Sequence, residues 1–351
     1  MKKRVVVGIS GGVDSAVAAL LLKEQGYEVI GLFMKNWDDT NDEVCSAESD
    51  YEDIKMVCEK IDIPYYTVNF AKEYWDRVFS YFLEEYKKGR TPNPDVLCNR
   101  EIKFAPFKEQ ALKLGADFIA TGHYAGILTN KGKTYLTRAK DENKDQTYFL
   151  NQLSNNQIRN VLFPLENLLK PEVREIALKY NLVNAAKKDS TGICFIGERN
   201  FRAFLSQYIP MKKGDIKTLD GKIIGEHNGV FYYTIGQRKG FGIGGAGEPW
   251  FIIDKDVKQN ILYVNQGEPA SLYKKTSIIT GFNYITDKVT DNSSVLVRVR
   301  HRQPLQNATV ELLGDKTLQL HFETPQRALA NGQYAVLYND RICLGGGVID
   351  N

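Results

Sequence analysis

Two rhythms of apolar and polar residues divide this chain. Up to about residue 200, short apolar runs alternate with helical stripes. Residues 5–10 read as a buried strand, and Val13, Val17, Leu20 and Leu21 recur at helical spacing within 13–25. Residues 28–34 are again strand-like, and a helix with Ile54, Val57, Cys58 and Ile61 on one stripe follows. Residues 64–70 predict a strand, 73–88 and 104–114 helices, and 117–121 a strand. Such alternation predicts an α/β domain with a doubly wound parallel sheet. Ligands of these sheets sit at the carboxyl ends of the strands. Ser10-Gly11-Gly12, Met34 and Gly122-His123 all follow strands, so they are expected to share one crevice.

Beyond a last helix expected at 200–208, turn signals recur at short spacing, among them Asp220-Gly221, Asn228-Gly229, Gly314-Asp315 and Asn331-Gly332. Between the turns lie β-rich runs at 230–235, 251–254, 261–264, 295–302, 317–322 and 334–337. This rhythm predicts a small β-rich linking domain and a terminal β-barrel. The expected division is 1–205, 206–270 and 271–351, within the two or three domains that 351 residues allow. Arg298, Arg300 and Arg302 alternate within 295–302, so they are expected on one strand face, a basic strip suited to RNA phosphate, with His301 facing the other way.

Composition narrows the partners. A net charge of +3 is only mildly basic, so a nucleic acid would need a local basic patch. The opening Met-Lys-Lys-Arg-Val-Val-Val starts like a signal peptide but breaks at Ser10-Gly11-Gly12 and Asp14. A cytoplasmic protein is expected. The 5 cysteines include no CxxC pair, which argues against a structural zinc site.

Three stretches carry candidate chemistry. Gly8-Ile9-Ser10-Gly11-Gly12-Val13-Asp14-Ser15 joins a strand to a helix through two glycines. Glycines let the backbone approach an anion, and the helix N-terminus presents unpaired N–H groups to it. This loop carries no Gly-Lys-Ser/Thr, so it is not the common P-loop. Ser-Gly-Gly-x-Asp-Ser instead resembles the pyrophosphate loop of the N-type ATP pyrophosphatases, which adenylate a carbonyl oxygen. Residues 89–103 contain Pro92, Pro94 and Gly89 and are expected to form a stiff irregular loop presenting Asp95 and Cys98. Residues 189–197 place Cys194 among small and apolar residues. Two loop cysteines beside an ATP-splitting motif point to sulfur transfer.

Taken in order, the motifs resemble the bacterial tRNA-specific 2-thiouridylases (tRNA-uridine 2-sulfurtransferases). The match runs through the loop at 8–15, Asn93-Pro94-Asp95-x-x-Cys98-Asn99, Ala120-Thr121-Gly122-His123-Tyr124, Lys144-Asp145-Gln146-Thr147-Tyr148-Phe149-Leu150 and Ser190-Thr191-Gly192-Ile193-Cys194-Phe195-Ile196-Gly197. It continues through Tyr233-Thr234-Ile235-Gly236-Gln237-Arg238-Lys239-Gly240 and Gly242-Ile243-Gly244-Gly245. The resemblance implies that Gly8, Ile9, Ser10, Gly11, Gly12, Val13, Asp14 and Ser15 bind ATP phosphates, and that Met34 and Gly122 border the nucleotide. It implies that Asn93, Pro94 and Asp95 receive the target base, with Asp95 a general acid/base. Cys98 is then the nucleophile and Cys194 the persulfide carrier. Lys144, Asp145, Gln146, His123, Arg300, His301 and Gln333 are the implied tRNA contacts. Mg²⁺ is expected with ATP, Asp14 being the candidate ligand. The implied reaction is 2-thiolation of the wobble uridine of tRNA, for the Lys, Glu and Gln acceptors. The sulfur would come from a cysteine desulfurase or a relay protein. Two other classes remain open on the residues alone: a ligase or amidotransferase on the same scaffold, and a nonenzymatic RNA-binding protein.

Overall fold

The computed structural model describes residues 2–37, 46–189 and 201–351, and for 46–50 only the backbone. Strands β1 (Arg4–Ile9), β2 (Glu28–Lys35), β3 (Tyr65–Asn69) and β4 (Phe118–Thr121) belong to a parallel sheet. A hairpin follows, made of β5 (Ala125–Asn130) and β6 (Lys133–Arg138), and then β7 (Val161–Leu162). The parallel order is β3-β2-β1-β4-β7. The central strand β1 is apolar on both faces because helices cover both. Val6 joins one core cluster, while Val5, Val7 and Ile9 join the other. Strand order reverses between β1 and β4, which is where a doubly wound sheet opens its ligand crevice.

Four more strands, β8 (Gly214–Lys217), β9 (Ile223–His227), β10 (Trp250–Asp256) and β11 (Ile261–Gln266), form a separate sheet in the order β10-β11-β8-β9. The last six are β12 (Tyr273–Tyr284), β13 (Ser294–Arg298), β14 (Gln306–Gly314), β15 (Thr317–Arg327), β16 (Tyr334–Asn339) and β17 (Ile342–Ile349). They run β12-β15-β14-β13-β16-β17, and β12 also pairs with β17, so the barrel closes. The predicted α/β domain, linking β-rich region and C-terminal barrel are all present.

Three local expectations fail. Residues 230–235 are not a strand: Val230–Tyr232 is a 3₁₀ turn. Gly229 enters it at φ 133°, and the Val230 N–H is taken by Asn260 Oδ1 at 3.2 Å. Strand β13 stops at Arg298, where Gln303 Oε1 accepts the Val299 N–H and Arg302 turns to φ 67°. Arg298, Arg300 and Arg302 therefore share no strand face. The third failure, at 89–103, belongs to the site below.

The hairpin β5–β6 had no counterpart in the sequence reading. Lys131 and Gly132 both sit at positive φ, the signature of a two-residue type I′ turn. Its strand β6 pairs with β17 through Leu136 and Cys343, so the N-terminal part of the chain adds two strands to the sheet of the C-terminal barrel. The aromatic stripe Tyr74, Phe79 and Phe82 is wholly buried, as core residues are. It packs with Trp37 and with Phe204 of the helix Phe201–Ser206.

Candidate active site

The loop after β1 is shaped to bring backbone N–H groups to an anion. Gly11 takes φ 74°, a conformation that favours glycine. Gly12 then caps the helix Val13–Glu24 with extended backbone and no side-chain cap, which leaves the helix N-terminus to a ligand. Ser15 Oγ donates to Gly12 O at 3.0 Å and accepts the Ser10 N–H at 3.2 Å, and Ser10 Oγ lies 3.3 Å from it. Across the switch point, Gly122 ends β4 directly on this turn. A Cβ there would lie 2.6 Å from Ser15 N and 2.7 Å from the Asp14 carbonyl carbon. Met34, half-buried near the end of β2, borders the same end of the sheet, opposite Val68.

Asp14 is the loop's carboxylate. Its Oδ1 accepts from Lys170 Nζ at 2.6 Å and from the Tyr124 hydroxyl at 3.1 Å. Burial, followed by the Asp14 charge, pushes the Tyr124 phenol above its usual range. Lys170 Nζ also reaches Asp189 Oδ1 at 2.9 Å, while Lys144 and Arg174 hold the same carboxylate at 2.6 and 2.8 Å. Burial works against ionisation of Asp189, but the hydrogen bonds from Lys144 and Lys170 and their charges win and hold it at about 2. Lys170 was not legible in the sequence. It is a lone lysine at the start of the helix Lys170–Lys179, and only folding brings it to Asp14. Cys194 falls in 190–200, outside the described residues.

Residues 94–103 are helical, not an irregular loop. Pro94 occupies the first turn of the helix Pro94–Cys98, which continues as a π-turn over Asn99–Lys103. Proline suits the first helical turn because its missing N–H is not needed there. Asn93 caps it, its Oδ1 accepting the Asp95 N–H at 3.2 Å. Asp95 and Cys98 lie three residues apart on this helix, hence on one face. Cys98 is fully buried and Asp95 half-buried. The following helix Pro106–Lys113 brings Phe107 under the Gly8–Ser15 segment, where a Cβ on Gly8 would sit 3.4 Å from its ring. Loop and cysteine-bearing turn thus share one support.

The implied RNA contacts divide into two sets. Asp145 is 1% exposed and bonded to Arg298 Nη1 at 2.6 Å and to the Thr147 hydroxyl at 2.9 Å. Burial pushes its carboxyl up, and Arg298 opposes the shift. Such a side chain is a joint between elements, and a direct hold on RNA would require it to leave Arg298. Gln146 brackets Tyr124, accepting its N–H at 2.9 Å through Oε1. His123 is buried between Phe104 and Phe163, with Nδ1 2.7 Å from the Thr121 hydroxyl. Burial, then Lys103, pulls it well below the ordinary histidine value, so it is neutral.

The second set gathers around Tyr148 and Phe149. The His301 ring packs 4.4 Å from that of Phe149, and its Nε2 has no hydrogen-bond partner among the described residues. Burial, then the Arg302 charge, lowers it to about 4. Arg300 Nη2 donates to the carbonyls of Arg327 and Ala328. Gln333 donates to Thr91 O at 2.9 Å and accepts from the Tyr148 hydroxyl at 3.4 Å. Among the described residues, no group of three or more His, Cys, Asp or Glu is placed to hold a metal ion, and no helix is long and apolar enough to cross a membrane.

One domain followed by two β-rich domains is also what matching family models describe. A tRNA methyl transferase HUP domain matches residues 3–198, and a tRNA methyl transferase PRC-barrel domain matches 202–266. An aminomethyltransferase beta-barrel domain matches 274–349. The tRNA-specific 2-thiouridylase MnmA of Oceanobacillus iheyensis is 55% identical over 99% of this chain and 95% of its own length. The tRNA-specific 2-thiouridylase MnmA 2 of Geobacillus kaustophilus is 57% identical over 99% of this chain and 94% of its own. The chain belongs to the tRNA-specific 2-thiouridylase family.

Proposed function

We propose that this protein is a cytoplasmic tRNA-uridine 2-sulfurtransferase that uses ATP to replace the 2-oxygen of the wobble uridine with sulfur. The observation that carries this reading is the uncapped Gly11–Gly12 turn against Gly122 at the switch point, with Phe107 of the helix that follows the Asp95–Cys98 turn packed against Gly8. The loop residues 8–15 bind the phosphates, and Met34 and Gly122 border the nucleotide. A single carboxylate suits Mg²⁺, which takes phosphate oxygens and waters for the rest, so Asp14 would hold it. The ion would neutralise phosphate charge.

The chemistry follows from the leaving group. A uracil 2-oxo group leaves poorly. Its attack on the α-phosphorus of ATP expels pyrophosphate and turns the oxygen into part of AMP. The terminal sulfur of a Cys194 persulfide then attacks C2, and AMP departs. The Cys98 thiolate attacks the Cys194 sulfur and breaks the S–S bond, leaving 2-thiouridine and a Cys98–Cys194 disulfide. A thiol reductant reopens the disulfide. The target base is flipped out of the anticodon to reach Asn93, Pro94 and Asp95, as for other enzymes acting on bases. Asp95 supplies and takes the proton. Lys144, Asp145, Gln146, His123, Arg300, His301 and Gln333 line or support the RNA-facing side. Lys, Glu and Gln acceptors are the tRNA substrates, and a cysteine desulfurase or sulfur-relay protein donates the persulfide.

Single-turnover thiolation tests this. Purified protein, ATP-Mg²⁺, a persulfide source and unmodified tRNA should yield 2-thiouridine by nucleoside mass spectrometry. The product should vanish without ATP and in Cys98→Ser and Cys194→Ser. ATP cleaved to AMP with no thiolated nucleoside would place this scaffold on another acceptor.

A further inference from the structure

The connector 88–93 joins the helix that ends at Lys87 to the Asn93 cap of the helix Pro94–Cys98. It is held from two other parts of the fold. On the central side, Lys255 at the end of β10 donates to the carbonyls of Gly89 and Tyr233. The Thr234 hydroxyl lies 3.2 Å from that of Thr91. On the barrel side, Asn331 O accepts the Thr91 N–H at 2.8 Å and Gln333 donates to Thr91 O at 2.9 Å. Arg90 pairs with Asp350 at 2.6 Å.

The packing leaves little slack. A Cβ on Gly89, at φ 74°, would collide with Val257, and one on Gly332 would lie 2.9 Å from Thr91 N. Both β-rich regions therefore press on Gly89–Thr91, two residues before the cap that orients Asp95 and Cys98. Lys255 has carbonyl partners, and burial, opposed by Asp254, draws its ammonium down to about 8. A cation kept at that cost calls for a reason beyond packing.

We propose that Lys255 is a positioning residue for the reaction, fixing through Gly89 and Tyr233 the connector that aims the Asn93–Cys98 turn. This rests on the sulfurtransferase reading above. The two β-rich regions are then more than RNA platforms, because they set the geometry of the turn that receives the base. The barrel shares the task through Gln333 and Asn331.

The full-length protein tests it, with wild type assayed first. No thiolation by wild type would overturn the sulfurtransferase reading itself. With wild type active, Lys255→Met should slow single-turnover thiolation by about tenfold or more, since a displacement on the ångström scale misaligns reacting groups. The Kd for tRNA should stay unchanged, and Lys255→Arg should restore most of the rate. A wild-type rate in Lys255→Met overturns the inference alone. So does a full rate with weakened tRNA binding, which would make Lys255 an RNA contact. Should Lys255→Met fail to fold, Thr234→Val decides: losing one hydrogen bond to the connector should cost about fivefold in rate with Kd intact, and an unchanged rate overturns the inference.

Discussion

Gly122 shows how narrow the tolerance is at single positions. A methyl group there would meet the backbone of Asp14 and Ser15, which has nowhere to retreat because it is the first turn of the helix beneath the loop. Gly122→Ala should weaken ATP binding by about tenfold or more, as fixed phosphate-binding geometry is lost; a nucleotide titration reads it directly. His301 makes a pH prediction. Its folded value of about 4 lies below the ordinary 6.5. The folded state resists protonation, so this term is fully stabilising above pH about 6.5 and is lost as pH falls toward 4. Resistance of wild type to urea should weaken as pH falls over that window, and the slope should flatten in His301→Gln. The loop glycines were legible because backbone requirements show directly as residue type. Lys170 and Arg298 were not, because a lysine or arginine in sequence carries no mark of the distant carboxylate it will meet.

At the scale of elements, the joints matter more than the spans. The Asp145–Arg298 pair fastens the segment before the helix Thr147–Leu150 to the end of β13, and both side chains are almost wholly buried. Removing one partner leaves a buried charge alone, so Asp145→Ala should cost about 3–5 kcal/mol by denaturant unfolding. Asn93→Ala should cost about 1 kcal/mol through the lost cap, and it should slow thiolation more than it destabilises, because the cap also aims Asp95. Strands β1, β2 and β4 could be read from the sequence because buried parallel strands are continuous apolar runs bounded by helices. The helix at 94–98 could not, because prolines that read as breakers also start helices. The run at 295–302 reads like one strand because it opens on three apolar residues and then alternates apolar and basic over 297–300. The Gln303 side chain, which captures the Val299 N–H, ends it early.

The whole molecule is sewn together across its length. Hairpin β5–β6 lies in the N-terminal part of the chain, yet its second strand, β6, extends the barrel sheet beside β17. A chain ending at residue 272 should therefore expose Leu136, now fully buried, together with an unpaired β6 edge. Size-exclusion chromatography of that truncation should show aggregates where the full chain elutes as a discrete species. The general architecture was legible in the change of rhythm near residue 200, whereas this stitch was not, because strand pairing between distant segments leaves no local pattern. It also sets a timetable for biosynthesis. A ribosome adding roughly 5–20 residues per second needs roughly ten to forty seconds to pass from Leu136 to its pairing partner Cys343. For that interval the nascent chain carries a sticky β-edge with no mate, and the last strand to emerge is the one that shields it.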